Sequence, residues 1–346
     1  MSTERTEIEK LGEFGLIDRL TQNFETFNAS TVLSIGDDAA VIDHFGKQTV
    51  ITTDLLVEGV HFDLMYTPLK HLGYKSVVVN LSDIYAMNAQ PTQITMSLAF
   101  SNRFSLEALE EFYEGVAIAC DKYGVDLIGG DTSTSQKGLI ISVTALGEVA
   151  PDQYIKRSTA ESGDLICVSG DLGAAFLGLT LMEREKKIFL ENPQIQPNLE
   201  NEDYIVGRLL RPEARKDIIE LLEKLEIKPT SMMDISDGLS SDVLHLCKQS
   251  DLGCRIYEEK IPINEASKAA AFKFGLDATV CALNGGEDYE LLFTMKQADY
   301  DKMTMQEEIS VIGYMCDASE GKKLITKGNN LFDITAQGWN AFGKEA

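Results

Sequence analysis

Asp234-Ile235-Ser236-Asp237-Gly238-Leu239 opens a stretch in which Leu239, Val243 and Leu246 recur at helical spacing. The hexapeptide reads as the turn from a strand end into a helix start, the punctuation of an α/β fold. Strand alternation would set Asp234, Ser236 and Asp237 along one edge. A helix N-terminus suits phosphate, and carboxylates suit the metal that accompanies it. Helix capping alone is the competing reading.

Five further acidic motifs stand at comparable places: Gly36-Asp37-Asp38, Thr52-Thr53-Asp54, Asn80-Leu81-Ser82-Asp83, Gly129-Gly130-Asp131 and Gly285-Gly286-Glu287-Asp288. Each sets a carboxylate beside a glycine, hydroxyl or amide. Thr52, Thr53 and Asp54 end a strand-like run, where two hydroxyls and a carboxylate can share a metal or cap a helix. Asp38 follows a strand-like run and, taken alone, reads as a turn residue capping amides. Asn80 and Asp83 lie on one stripe of a helix, which is either a solvated face or the wall of a cleft. The glycines of Gly129-Gly130-Asp131 let backbone come close to a ligand, or simply make a tight turn. Ser169-Gly170-Asp171-Leu172-Gly173 is a weaker phosphate-loop candidate, without the Lys-Ser/Thr of a P-loop. His61 follows Asp54 by seven residues and is one of only four histidines.

Two like charges about 5 Å apart repel by roughly 3 kcal/mol at an effective dielectric of about 20. Five or six converging carboxylates would therefore oppose folding unless cations neutralised them. The joint expectation is a hard-oxygen cage for several Mg²⁺ ions, of the kind that phosphoryl transfer requires.

The rest of the chain bounds this reading. Its 346 residues suffice for two domains, each with a core. A net charge of −24 argues against nucleic acid or an anionic membrane as partner. It also makes bound cations necessary if the ligand is a nucleotide. The six cysteines form no C-x-x-C pair, and no apolar run approaches the roughly 20 residues that span a bilayer. The charged N-terminus lacks the apolar stretch of a signal peptide. A reduced, cytoplasmic protein is expected.

Strands are expected at 49–53, 93–100, 125–129, 139–149, 164–169, 254–261, 289–294 and 309–314. Helices are expected at 71–87, 106–123, 170–183, 211–225 and 239–247, and a surface excursion at 186–202. The segment Ala150-Pro151-Asp152-Gln153 marks a boundary between domains 1–150 and 151–346. The picture is α/β (α+β) with two domains of similar size.

Taken in order, these motifs resemble the thiamine-monophosphate kinase family, within the aminoimidazole-ribotide-synthetase-like (PurM-like) superfamily. The resemblance rests on Ile35-Gly36-Asp37-Asp38-Ala39, Gly59-Val60-His61-Phe62, Asn80-Leu81-Ser82-Asp83, Gly129-Gly130-Asp131-Thr132, Asp234 to Leu239 and Gly285-Gly286-Glu287-Asp288-Tyr289-Glu290. It implies an N-terminal domain whose mixed sheet pairs across a homodimer, and a C-terminal α/β domain. It implies Mg²⁺ on Asp38, Thr52, Thr53, Asp54, Asp83, Asp131, Asp234 and Asp237. By the same resemblance Gly130, Asp131, Arg157, Ser236 and Tyr113 would meet ATP, and His61, Glu287 and Trp339 would meet thiamine monophosphate. The implied reaction makes thiamine diphosphate and ADP by direct in-line transfer, the last step of thiamine diphosphate biosynthesis, with no dedicated base.

Two other readings stay open. Another ATP-using member of the superfamily is one, although no cysteine precedes Cys120 and the chain ends Gly343-Lys344-Glu345-Ala346, without a terminal cysteine. A non-catalytic divalent-metal-binding protein is the other.

Overall fold

A computed structural model describes residues 19–33, 41–43 and 45–336. Asp38 and Trp339 lie outside the described residues. The chain divides between Tyr154 and Ile155 into two units.

In the first unit β1 (Thr31–Leu33) and β2 (Val41–Ile42) form a small antiparallel pair. A four-stranded mixed sheet follows, built from β3 (Gln48–Val57), β4 (Gln90–Phe100), β5 (Asp126–Thr134) and β6 (Ile140–Val149) in the order β3-β6-β4-β5. Only the β4–β5 pair is parallel. Strand alternation gives the sheet two unlike faces. Ile94, Met96, Leu98, Ile141, Val143 and Ala145 point to the buried one, while Ile51 and Leu55 stand more than half exposed on the other.

Helices Leu69–Ala86 and Leu106–Tyr123 lie against each other. Their contact depends on glycine: a Cβ on Gly73 would sit 1.9 Å from the Phe112 carbonyl oxygen, and one on Gly115 1.8 Å from that of Lys70. The second helix has the expected bounds, because Ser105 caps its start and left-handed Gly124 ends it. The first is buried nearly all round, its polar Ser76, Asn80 and Ser82 included. Of the two readings of the Asn80 and Asp83 stripe, a solvated face does not fit, since Asn80 is buried and Asp83 is partly so.

The second unit is built on a seven-stranded mixed sheet. Its strands are β7 (Leu165–Ser169), β8 (Ser231–Asp234), β9 (Leu252–Tyr257), β10 (Leu291–Met295), β11 (Ile309–Asp317), β12 (Lys322–Ile325) and β13 (Leu331–Asp333). Their order is β13-β12-β9-β11-β7-β10-β8, and β9–β12 is the parallel pair. Ile166, Val168, Met233, Ile235, Leu239, Val243 and Leu292 share one apolar cluster. Ala174, Leu177, Leu181, Ile205 and Ala271 form another.

The helix expected at 170–183 spans Ala174–Glu191, so it takes in the first residues of the expected surface excursion. Three helices without an expected counterpart, Asp203–Leu210, Glu265–Phe274 and Ala278–Asn284, also belong to this unit. All six cysteines are buried and free of disulfides, and no described helix is long and apolar enough to cross a membrane.

Candidate functional site

In the first unit the sheet face under the helices gathers Thr52, Asp54, Asn80 and Asp83. The Thr52 hydroxyl donates to Asp83 Oδ2 at 2.7 Å. Asn80 is buried and accepts the Asp54 backbone N–H on its Oδ1 at 3.0 Å, while its amide nitrogen donates to the Ser76 carbonyl at 3.0 Å. Asn80 thus anchors the stretch of β3 that carries Asp54, which lies inside the strand and not at its end.

Thr53 points the other way, as alternation requires. Its hydroxyl donates to the Val143 carbonyl and accepts from Thr144. Asp131 shares a cross-sheet row with Ser97, Ser142 and Leu55, on that same open face. Three strand spacings, about 14 Å, separate the β3 and β5 backbones. The predicted metal ligands of this unit are therefore divided between two faces of one sheet. Among the described residues no three His, Cys, Asp or Glu side chains form a metal-ligating group.

Gly130 has a structural reason to be glycine, since a Cβ there would lie 1.8 Å from the Met96 carbonyl oxygen. Tyr113 packs edge-on against Phe24, and burial pushes its hydroxyl up to about 12. His61 follows β3 in a turn where its Nδ1 accepts the Val57 N–H at 3.1 Å. In the neutral ring this leaves the proton on Nε2, a donor free of the turn's own bonding scheme. A cavity of about 880 Å³ opens beside this turn, lined by Glu58, Gly59, Asp63, Arg103 and Lys137 among others. None of the predicted site residues lines it.

In the second unit two motifs far apart in sequence are stitched together. The Glu287 N–H donates to the Ser236 carbonyl at 2.7 Å, and the Tyr289 N–H to that of Ile235 at 2.9 Å. The chain leaves β8 at Asp234, so strand alternation stops there. Asp234 is buried, Ser236 exposed and Asp237 half-buried. The predicted single edge is replaced by a turn that fans these residues out.

Burial raises the Asp237 carboxyl above its ordinary range, against the pull of His245 and Arg157. Asp242, in the first turn of helix Leu239–Gln249, has no counterpart among the predicted ligands. Burial, then the nearby charges of Asp234 and Asp237, push it up to about 8. Its Oδ2 is buried without a hydrogen-bond partner. An acid in the first turn of a helix was the only available signal, and it usually means capping.

The Ser169–Gly173 loop does not offer an empty anion seat. The Asp288 carboxylate fills it, accepting the Gly173 N–H at 2.9 Å at the start of helix Ala174–Glu191. The Asp171 carboxylate in turn accepts the Tyr204 hydroxyl. Burial raises Asp288 to about 7 despite the Arg208 charge nearby.

The model of the AIR synthase related protein, N-terminal domain, matches residues 36–149, and that of the C-terminal domain residues 161–322. Thiamine-monophosphate kinase of Aquifex aeolicus (strain VF5) is 34% identical over 335 residues, covering 97% of this chain and 99% of that protein. The crystal structure of thiamine-monophosphate kinase from Stenotrophomonas maltophilia K279a superposes with a TM-score of 0.77 at 33% identity, over 94% of this chain and 98% of that one. AaThiL complexed with AMPPCP and TMP superposes with a TM-score of 0.73 at 33% identity, over 99% and 100%. With both halves matched and near-complete coverage in each direction, the chain belongs to the thiamine-monophosphate kinase family, within the AIR-synthase-related proteins.

Proposed function

We propose that this chain transfers the γ-phosphoryl group of ATP to thiamine monophosphate, releasing thiamine diphosphate and ADP in the cytoplasm. The observation that carries the reading is the end-to-end likeness to a kinase structure complexed with AMPPCP and TMP. A phosphate monoester oxygen is already ionised near neutral pH, so the chain needs no strong base. Its task is to position two anions and offset their repulsion.

The donor set fits a hard divalent cation. Thr52, Thr53, Asp54, Asp83 and Asp131 of the first unit and Asp234 and Asp237 of the second are oxygen donors. Burial raises both the Asp237 and Asp242 carboxyls, and one Asp242 oxygen has no hydrogen-bond partner, which suits a site that a bound cation would complete. These residues, with Asp38, would hold several Mg²⁺ ions; when bound, Mg²⁺ supplies charge neutralisation to the polyphosphate.

Arg157, exposed and near enough to Asp237 to lower its carboxyl, would meet the nucleotide together with Gly130, Ser236 and Tyr113. His61 offers its Nε2–H to thiamine monophosphate, Glu287 faces the cationic heterocycle with a carboxylate, and Trp339 would stack on it. Two copies would pair through the open face of the first unit's sheet, where Ile51 and Leu55 stand exposed.

The test is to incubate the protein with MgATP and thiamine monophosphate and follow ³¹P NMR. The β-phosphorus resonance of thiamine diphosphate is expected to grow with ADP. Intact substrates beside a protein that still binds Mg²⁺ would favour a metal-binding role instead.

A further inference from the structure

The Gly286–Tyr289 turn is held in an unusual shape. Glu287 has φ 61° and Tyr289 φ 52°, both in the left-handed region that side chains rarely adopt. Such a conformation persists only where its surroundings over-determine it.

The surroundings here are a buried ionic cluster. Glu290 is fully buried. Its Oε1 takes a 2.8 Å ion pair from Arg208 Nη1, and its Oε2 is bonded by Arg215 Nη1 and by the Ser169 hydroxyl. The other arm of Arg208 reaches the turn itself. Its Nη2 donates to the backbone carbonyls of Asp288 and Asp171, each at 3.2 Å. Arg208 sits on helix Asp203–Leu210, some 80 residues away in sequence. One guanidinium therefore ties that helix, the residue after the turn and the carbonyl within it into one piece.

We propose that Arg208 is a positioning residue for the acceptor substrate, acting through Glu290 and the Asp288 carbonyl to hold Glu287 in the conformation that meets thiamine monophosphate. This rests on the function proposed above, in which Glu287 contacts that substrate. Lysine at this position would keep the charge opposite Glu290 but lose the fork that reaches the carbonyls at the same time. Arg208→Lys therefore separates charge from geometry, and Arg208→Met removes both.

The experiment uses the full chain and two readouts: steady-state kinetics with each substrate varied, and amide hydrogen exchange of peptides covering 285–291. In Arg208→Lys the KM for thiamine monophosphate should rise about tenfold, with the KM for ATP within twofold of wild type. Exchange at the turn should quicken while that of the β-sheet stays unchanged. Arg208→Met should exaggerate both effects. Unchanged exchange at the turn in a folded Arg208→Lys protein would overturn the proposal, and so would parallel rises in both KM values. A wild-type chain that makes no thiamine diphosphate would remove the functional reading, and with it the substrate assigned to Glu287. That failure appears before any variant is compared, so the two are told apart.

Discussion

Glu287 and Ser236 are joined backbone to backbone, N–H to carbonyl, at 2.7 Å. The bond makes two acidic motifs, some fifty residues apart, into a single structural piece. Its neighbour Gly286 packs directly against it, at φ 69°, and a Cβ there would lie 2.6 Å from the Ser236 oxygen. Gly286→Ala should therefore cost about 1–3 kcal/mol, since neither the angle nor the space suits a side chain. Urea unfolding is the measurement, and a midpoint equal to wild type would show that the two motifs are not held so tightly.

Asn80 supports Asp54 from beneath the sheet. Asn80→Ala leaves the Asp54 N–H short of its partner, at about 1–3 kcal/mol. Asp54→Asn keeps that backbone bond and removes only the charge. It should fold like wild type by circular dichroism and lose turnover by about 100-fold or more. Wild-type-like activity in Asp54→Asn would take this carboxylate out of the metal site.

Asp288 predicts a pH dependence of unusual sign. Burial holds its carboxyl up at about 7, whereas the unfolded chain ionises it near 3.9. Between those values the native state binds the extra proton. This group's contribution to stability is thus present at low pH and declines as pH rises to about 7, by at most about 1.4 kcal/mol per pH unit. Asp288→Asn keeps an oxygen for the Gly173 N–H and cannot ionise. Its denaturation midpoint, compared with wild type from pH 5 to 8, should gain relative stability as pH rises; two parallel curves would refute the shift.

Ile51 stands on the open sheet face at 65% exposure. If two copies pair there, Ile51→Glu buries a charge in the contact. Sedimentation should give twice the chain mass for wild type and the single-chain mass for the variant. A dimer surviving the substitution would move the interface elsewhere.

How much of this could be read from the residues varies with the length scale of the interaction. Helix Leu106–Tyr123 was legible because its apolar spacing and its ends are both local. Within the helix expected at 71–87, Val77, Leu81, Ile84 and Tyr85 recur at helical spacing, and each is at most 1% exposed. Asn80 was harder: a polar stripe normally means solvent, but this helix is covered on nearly every side. Thr52 and Thr53 were grouped by adjacency, although a strand sends neighbours to opposite faces. Arg208, Arg215 and Glu290 were missed because their partners lie 75 to 82 residues apart, a distance at which one sequence carries no pairing signal. Glu290, a charge directly before the apolar run Leu291-Leu292-Phe293, was the one local clue.

The carboxylate of Asp288 at the mouth of helix Ala174–Glu191 has a consequence for small anions. A tethered group competes at a far higher effective concentration than any dissolved ion. Inorganic phosphate, sulfate or a nucleotide tail would have to evict a rival that never diffuses away. The attraction of this unit for polyanions thus falls to its arginines and to whatever cations travel with the ligand. If nucleotide binds as proposed, that binding should weaken steeply when divalent ions are chelated.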